Sequence, residues 1–134
     1  MTGMEAIKTF FKQDKFAEHV GIELLAVSEG CARASLEIKP HHLNAVGIVH
    51  GAAIFSLADL VFAMASNSHG TVAVAVNANI SFMKAVSSGR LFAEATEVSR
   101  NAKLASYTIR ITDEQEQLIA LFQGMVYRKK DKIV

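Results

Sequence analysis

Four residues in one sixteen-residue stretch, NAVGIVHGAAIFSLAD, are of types that could act on a carbonyl group: Asn44, His50, Gly51 and Asp59. Asp59 is the only acidic or basic residue other than histidine between Lys39 and Lys84, and it falls in the most apolar part of the chain. An unpaired carboxylate buried there is destabilising by several kcal/mol, or takes up a proton. Its presence therefore points to use, as a nucleophile or a general base, with a structural acid capped by a neighbouring hydroxyl or histidine as the alternative. Gly51 stands where a helix should begin. Helix N-termini carry unsatisfied N–H donors and partial positive charge, and such a donor can hold a carbonyl oxygen as it becomes an oxyanion.

Cooperation between the two raises a problem of reach. Eight helical residues separate them, about 12 Å at 1.5 Å per residue. A reacting carbonyl must lie about 3 Å from both donor and attacking group. One chain cannot supply both, so Asp59 of one copy must face Gly51 of another, in a dimer that sets two helices side by side.

Other chemistries find less support. His41, His42, His50 and His69 show no pair at the four-residue spacing of a helical zinc site, and Cys31 has no cysteine partner, so no metal is expected. His41, His42 and His69 read as loop histidines. The GxSxG elbow of serine hydrolases is absent, and Ser56, though near His50 and Asp59, reads as bonding its own helix. The glycine-rich patterns that cradle nucleotide phosphates are also missing, so no cofactor is expected.

The elements that must position these residues follow from periodicity. Ile7, Phe10 and Phe11 predict a short amphipathic helix over 4–13, and Asp14 to His19 a further helical turn. Ile22 to Ser28 and Cys31 to Ile38 read as strands joined at Glu29-Gly30. In the second, Ala32, Ala34, Leu36 and Ile38 alternate with Arg33, Ser35 and Glu37. Pro40 to Val49 is loop. A helix is predicted from about Gly51 to Ser68, apolar all round and hence buried all round. Four strands follow, Thr71 to Met83, Arg90 to Ser99, Lys103 to Thr112 and Gln117 to Arg128. The third strand of the chain is read as alternating Val72, Val74, Val76, Ala78, Ile80 and Phe82 against Thr71, Ala73, Ala75, Asn77, Asn79 and Ser81. The last is apolar on both faces, which predicts a subunit contact on the outer side. The sum is an α+β chain, an antiparallel sheet wrapped around one long central helix, forming one domain over 1–134.

Composition sets outer bounds. With 134 residues, 51% hydrophobic and 20% charged, the chain can bury a real core. Fourteen basic against thirteen acidic side chains give no general attraction to nucleic acid or anionic membrane. A lone cysteine suits a reducing, cytoplasmic compartment, and the opening MTGMEAIKTFFKQDKF has no signal-peptide core. The apolar run Ala45 to Ala65 is nearly long enough to span a membrane, but His50 and Asp59 interrupt it.

The pattern N-x-x-G-x-x-H-G-x-x-x-x-x-L-x-D, here Asn44, Gly47, His50, Gly51, Leu57 and Asp59, resembles the hotdog-fold acyl-CoA thioesterases. Within the 4-hydroxybenzoyl-CoA thioesterase-like superfamily it is similar to the phenylacetic acid degradation (PaaI-type) branch. The likeness runs from about Phe16 through Arg128 and includes VAVNANISFMKAV and GMVYRK. It implies a hotdog fold, dimers joined sheet edge to sheet edge and associating into tetramers, and hydrolysis of an acyl-coenzyme A thioester, of aryl or medium-chain type, at the dimer interface. Carried over, Asp59 attacks the carbonyl or activates water, Gly51 supplies the oxyanion N–H, and His50 and Asn44 position the thioester or hold the loop. Family members usually show HGG where this chain has His50-Gly51-Ala52, a change that bears on pocket shape. They often carry a hydroxyl near the acid where this chain has Ala73 and Ala75, which leaves Asn77 or Asn79 as the expected hydrogen-bond partner. Lys84, Arg100, Asn101 and Lys103 are candidates for the coenzyme A phosphates, and Phe55, Phe62, Met64 and Phe82 for the acyl pocket. A hydratase or dehydratase on the same fold and a non-catalytic acyl-binding module are the competing readings.

Overall fold

The computed structural model describes residues 3–133; the outermost ends of the expected 1–134 domain lie outside the described residues. Helix α1 (Gly3–Phe11) turns Ile7 into the interior. Helix α2 (Lys15–Val20) begins at Asp14, whose carboxylate accepts the Ala17 N–H at 2.9 Å, and ends at Gly21, whose left-handed φ of 95° favours glycine. Strands β1 (Ile22–Ser28) and β2 (Cys31–Glu37) follow, then a single 3-10 turn (Pro40–His42) and the long helix α3 (Gly51–Asn67). Four strands complete the chain: β3 (Thr71–Phe82), β4 (Arg90–Arg100), β5 (Leu104–Thr112) and β6 (Leu118–Lys132).

All neighbouring strands pair antiparallel in one sheet of order β1-β2-β4-β5-β6-β3. Helix α3 packs against strands across its width, and Leu57, Val61 and Met64 meet Leu36, Leu91, Ile109 and Phe122 in a solvent-free core. This is the hotdog arrangement. At the far end of α3, Glu97 Oε1 accepts hydrogen bonds from His69 Nε2 and the Tyr107 hydroxyl, both at 2.8 Å. The Ser68 hydroxyl meanwhile accepts the Gly30 N–H at 2.7 Å. These bonds tie the helix C-terminus to the sheet. His69 is thus a fold residue. So is His42, buried with Nδ1 accepting the Lys39 N–H and Nε2 donating to the Val20 carbonyl.

Two expectations are corrected. First, α3 is not covered all round: Ala52, Phe55 and Asp59, spaced three and four apart, form an exposed stripe flanked by half-buried Ser56 and Ala63. Only part of this helix, apolar as it is on every side, faces the sheet of its own chain. Second, β3 does not alternate without interruption. Register shifts at Thr71/Ala73 and Ala75/Asn77 place Ala75 opposite inward Val126 but Val74 opposite outward Tyr127, and Ala78 opposite Gly124. A bulge changes which residues share a face. Among the described residues β3 pairs only with β6, leaving a twelve-residue strand with an open edge.

Candidate active site

The loop before α3 is held by its own hydrogen bonds. Asn44 Oδ1 accepts the N–H groups of Val46 (3.0 Å) and Ile48 (3.3 Å), while the Asn44 N–H donates to the Ile48 carbonyl at 2.8 Å. Gly47, at a φ of 83°, makes the tight reversal between them. A bridge between Leu43 and Val49 closes the loop, and the His50 N–H donates to the His42 carbonyl at 2.7 Å. Asn44 therefore shapes the approach to the helix.

His50 is the N-cap of α3. Its Nδ1 accepts the Ala52 N–H at 3.0 Å, which places the ring proton on Nε2, and the exposed ring lines a depression of about 280 Å3. The His50 carbonyl receives the N–H groups of Ala53 and Ile54. One first-turn donor is left: among the described residues, the Gly51 N–H has no acceptor. The Phe82 side chain lies beside this turn: a Cβ at Gly51 would stand 3.1 Å from Phe82 Cζ, so a larger residue here needs the exposed ring to shift.

Asp59 lies two turns on, in a cleft of about 340 Å3 shared with Asp14, Phe16, Phe55 and Ser56. Among the described residues its carboxylate has no hydrogen bond or ion pair. Although the side chain reaches solvent in a single chain, packed neighbours desolvate the carboxylate, and the charge of Asp14 opposes its ionisation; both hold its pKa above the ordinary value. Asp14 and Phe16 escaped the sequence reading. Asp14 is legible as a helix cap, but nothing local shows that α2 packs beside Asp59.

The structure sorts the remaining candidates. Ser56 donates to the Ala52 carbonyl at 2.7 Å, within its own helix. Phe55 borders the cleft and packs edge-on against Phe122. Phe62 is a correction: it is 1% exposed, packed edge-on against Tyr107 and tilted against Phe122, and a Cβ at Gly124 would stand 2.5 Å from its Cζ. It is core, not acyl pocket. Asn77 and Asn79 are corrected too, since they pair with outward Met125 and Gln123 on the sheet face away from α3. Lys84 is engaged by Gln117 and lies 4.0 Å from Asp113. Arg100 pairs with Glu97 at 3.6 Å, and Asn101 Oδ1 accepts the N–H groups of Lys103 and Leu104, closing the β4–β5 turn. That turn adjoins Tyr127, seven residues along β6 from the Ala120 that pairs with Phe82, or about 23 Å. A ligand touching both ends must be extended.

Comparison with known proteins decides the family. The model of the Thioesterase superfamily matches residues 46–120, more than half of the chain and the whole of α3. The chain belongs to this thioesterase superfamily. It is similar to a protein of Archaeoglobus fulgidus whose name assigns it provisionally as an esterase, at 44% identity over 93% of this chain and 82% of the relative. It is also similar to acyl-coenzyme A thioesterase PaaI of Escherichia coli, at 33% identity over 88% of this chain and 85% of the relative. The solved structure of the Escherichia coli PaaI protein superposes with a TM-score of 0.92 at 30% identity, covering 97% of this chain and 95% of that one. The thioesterase fold thus includes α1 and α2 as well as the sheet and helix. Among the described residues no helix is long and apolar enough to cross a membrane.

Proposed function

We propose that this thioesterase hydrolyses acyl-coenzyme A thioesters, with Asp59 of one copy facing Gly51, His50 and Asn44 of a second. The supporting observation is the unclaimed Gly51 N–H and the unpaired Asp59 carboxylate on one helix, too far apart to act on one carbonyl. The open edge of β3 supplies a route to the partner, because an unpaired strand edge is a template for another. Outward Val74, Tyr127 and Leu104, adjacent by register, support a further pairing of dimers. Free, exposed Cys31 suits a reducing cytoplasm.

In this reading the thioester oxygen accepts the Gly51 N–H, with the His50 Nε2–H as a nearby second donor. The Asp59 carboxylate attacks the carbonyl carbon, or takes a proton from the water that does. Collapse of the tetrahedral centre breaks the C–S bond and expels the thiolate; with water added, free acid and coenzyme A result. A thioester has a good leaving group, so one oxyanion donor, worth a factor of about a hundred to a thousand, and one acid–base group are an adequate set. Release of free thiol from a panel of aryl and alkyl acyl-CoA thioesters tests this. Absence of thiol from every member would refute it, and water addition to crotonyl-CoA with the thioester intact would favour a hydratase.

A further inference from the structure

The cleft beside Asp59 adjoins a second one. Asp14, Ala17, Ile22 and Leu60 line both, and the second is a cavity of about 410 Å3, bounded by α1, α2, β1 and the middle of α3. The lining of that cavity is mostly apolar, with Phe11, Leu24 and Met64 added to the shared Ala17, Ile22 and Leu60, while Lys8, Lys12, Asp14 and Glu18 supply its polar part. Met64 lies five residues beyond Asp59 on α3, about 7.5 Å further along the helix. The volume falls in the range of small-ligand pockets, about 300–1,000 Å3.

A thioester whose carbonyl is at Asp59 has two unlike halves. The polar, phosphate-bearing half gains nothing from walls of leucine, isoleucine, phenylalanine and methionine, whereas a hydrocarbon group gains about fourfold in affinity per methylene buried. The hydrocarbon half is the one that gains from the apolar majority of this lining. We infer that the cavity under α1 receives the acyl group, and that Ala17, Leu24 and Met64 set the length and breadth of the acyl group accepted. Of the aromatic residues expected to line the acyl site, only Phe55 borders this route. The assignment rests on the hydrolytic reading of Asp59, and it makes α1 and α2 the specificity elements.

The test compares thiol release from straight-chain acyl-CoA thioesters, butyryl to dodecanoyl, and from phenylacetyl-CoA. Ala17→Leu, which narrows the junction of the two cavities, should lower the decanoyl-to-butyryl ratio of kcat/KM about tenfold, the effect of a few unburied methylenes. Leu24→Ala, which widens the cavity from β1, should move the preferred chain to longer acyl groups and keeps the test decisive if Ala17→Leu does not fold. Length profiles unchanged from wild type in the folded variants would overturn the assignment. If wild type releases no thiol at all, the hydrolytic reading fails by itself, and the cavity is read by calorimetric titration. Decanoyl-CoA should then bind Ala17→Leu about tenfold more weakly, relative to butyryl-CoA, than it binds wild type; equal ratios would refute acyl occupancy.

Discussion

Gly51 opens α3 with an N–H that no acceptor claims among the described residues, and Asp59 lies on the same helix two turns away with a carboxylate that no donor claims. About 12 Å of helix separates them. In the proposed reaction each would supply half of a carbonyl-activating pair.

Replacing the acid should separate activity from stability. Asp59→Asn removes the attacking or proton-accepting group and should lower turnover at least a thousandfold by thiol release. A carboxyl whose pKa is raised on folding holds its proton more tightly in the native state, so its ionisation destabilises the fold as pH rises through the raised value. The variant should therefore melt higher than wild type at neutral pH, with the difference vanishing in acid. An unchanged rate would refute the role of Asp59.

The pH–rate profile should carry the influence of Asp14. Desolvation and the Asp14 charge both raise the Asp59 pKa, so the acid limb of kcat/KM should lie above the ordinary carboxylate range. Asp14→Asn keeps a good helix cap while removing the like charge, and should move that limb to lower pH. A limb that stays in place would show that the two carboxyls are not coupled.

His50 combines a cap and a donor, which substitutions can divide. His50→Ala loses the bond to Ala52 and should cost about 1 kcal/mol of stability along with turnover. His50→Asn restores the cap but presents no Nε2–H in the same place. Melting temperature should recover with Asn while thiol release does not; joint recovery would make His50 a cap alone.

The Glu97 cluster should respond in the opposite pH direction from Asp59. Burial raises the Glu97 pKa, but hydrogen bonds from His69 and Tyr107 outweigh it and leave the value lowered. Its stabilising contribution is present above the ordinary glutamate value and is lost as pH falls through the lowered one. Tyr107→Phe should cost about 1 kcal/mol at neutral pH and less in acid, measured by denaturant titration.

Much of this architecture is written in local pattern. The alternation of Ala32, Ala34 and Leu36 against Arg33 and Ser35 is the observed register of β2, and α3 begins at Gly51 as its loop and glycine indicate. What escaped depends on contacts that no local pattern records. An apolar Ala52 and Phe55 look buried whether the cover is their own sheet or another molecule, so the open stripe was invisible. Bulges in β3 moved Val74 outward because one extra residue reverses the facing of those before it. Phe62 and Phe55 are the same residue type seven apart on one helix, and only the packing of Gly124 and Tyr107 makes the first a core residue. The Asp14–Asp59 proximity and the cavity under α1 arise where chain-distant elements meet.

The shared site is tested most directly by mixing two inactive chains. Gly51→Pro deletes the donor at a helix position that tolerates proline, after a His50 already extended at a ψ of 136°. Asp59→Ala deletes the acid. When the two are unfolded and refolded together, half of randomly paired dimers are mixed, and each carries one intact site. The account predicts recovery of about a quarter of wild-type thiol release. Mixed dimers verified by mass spectrometry that remain inactive would contradict it.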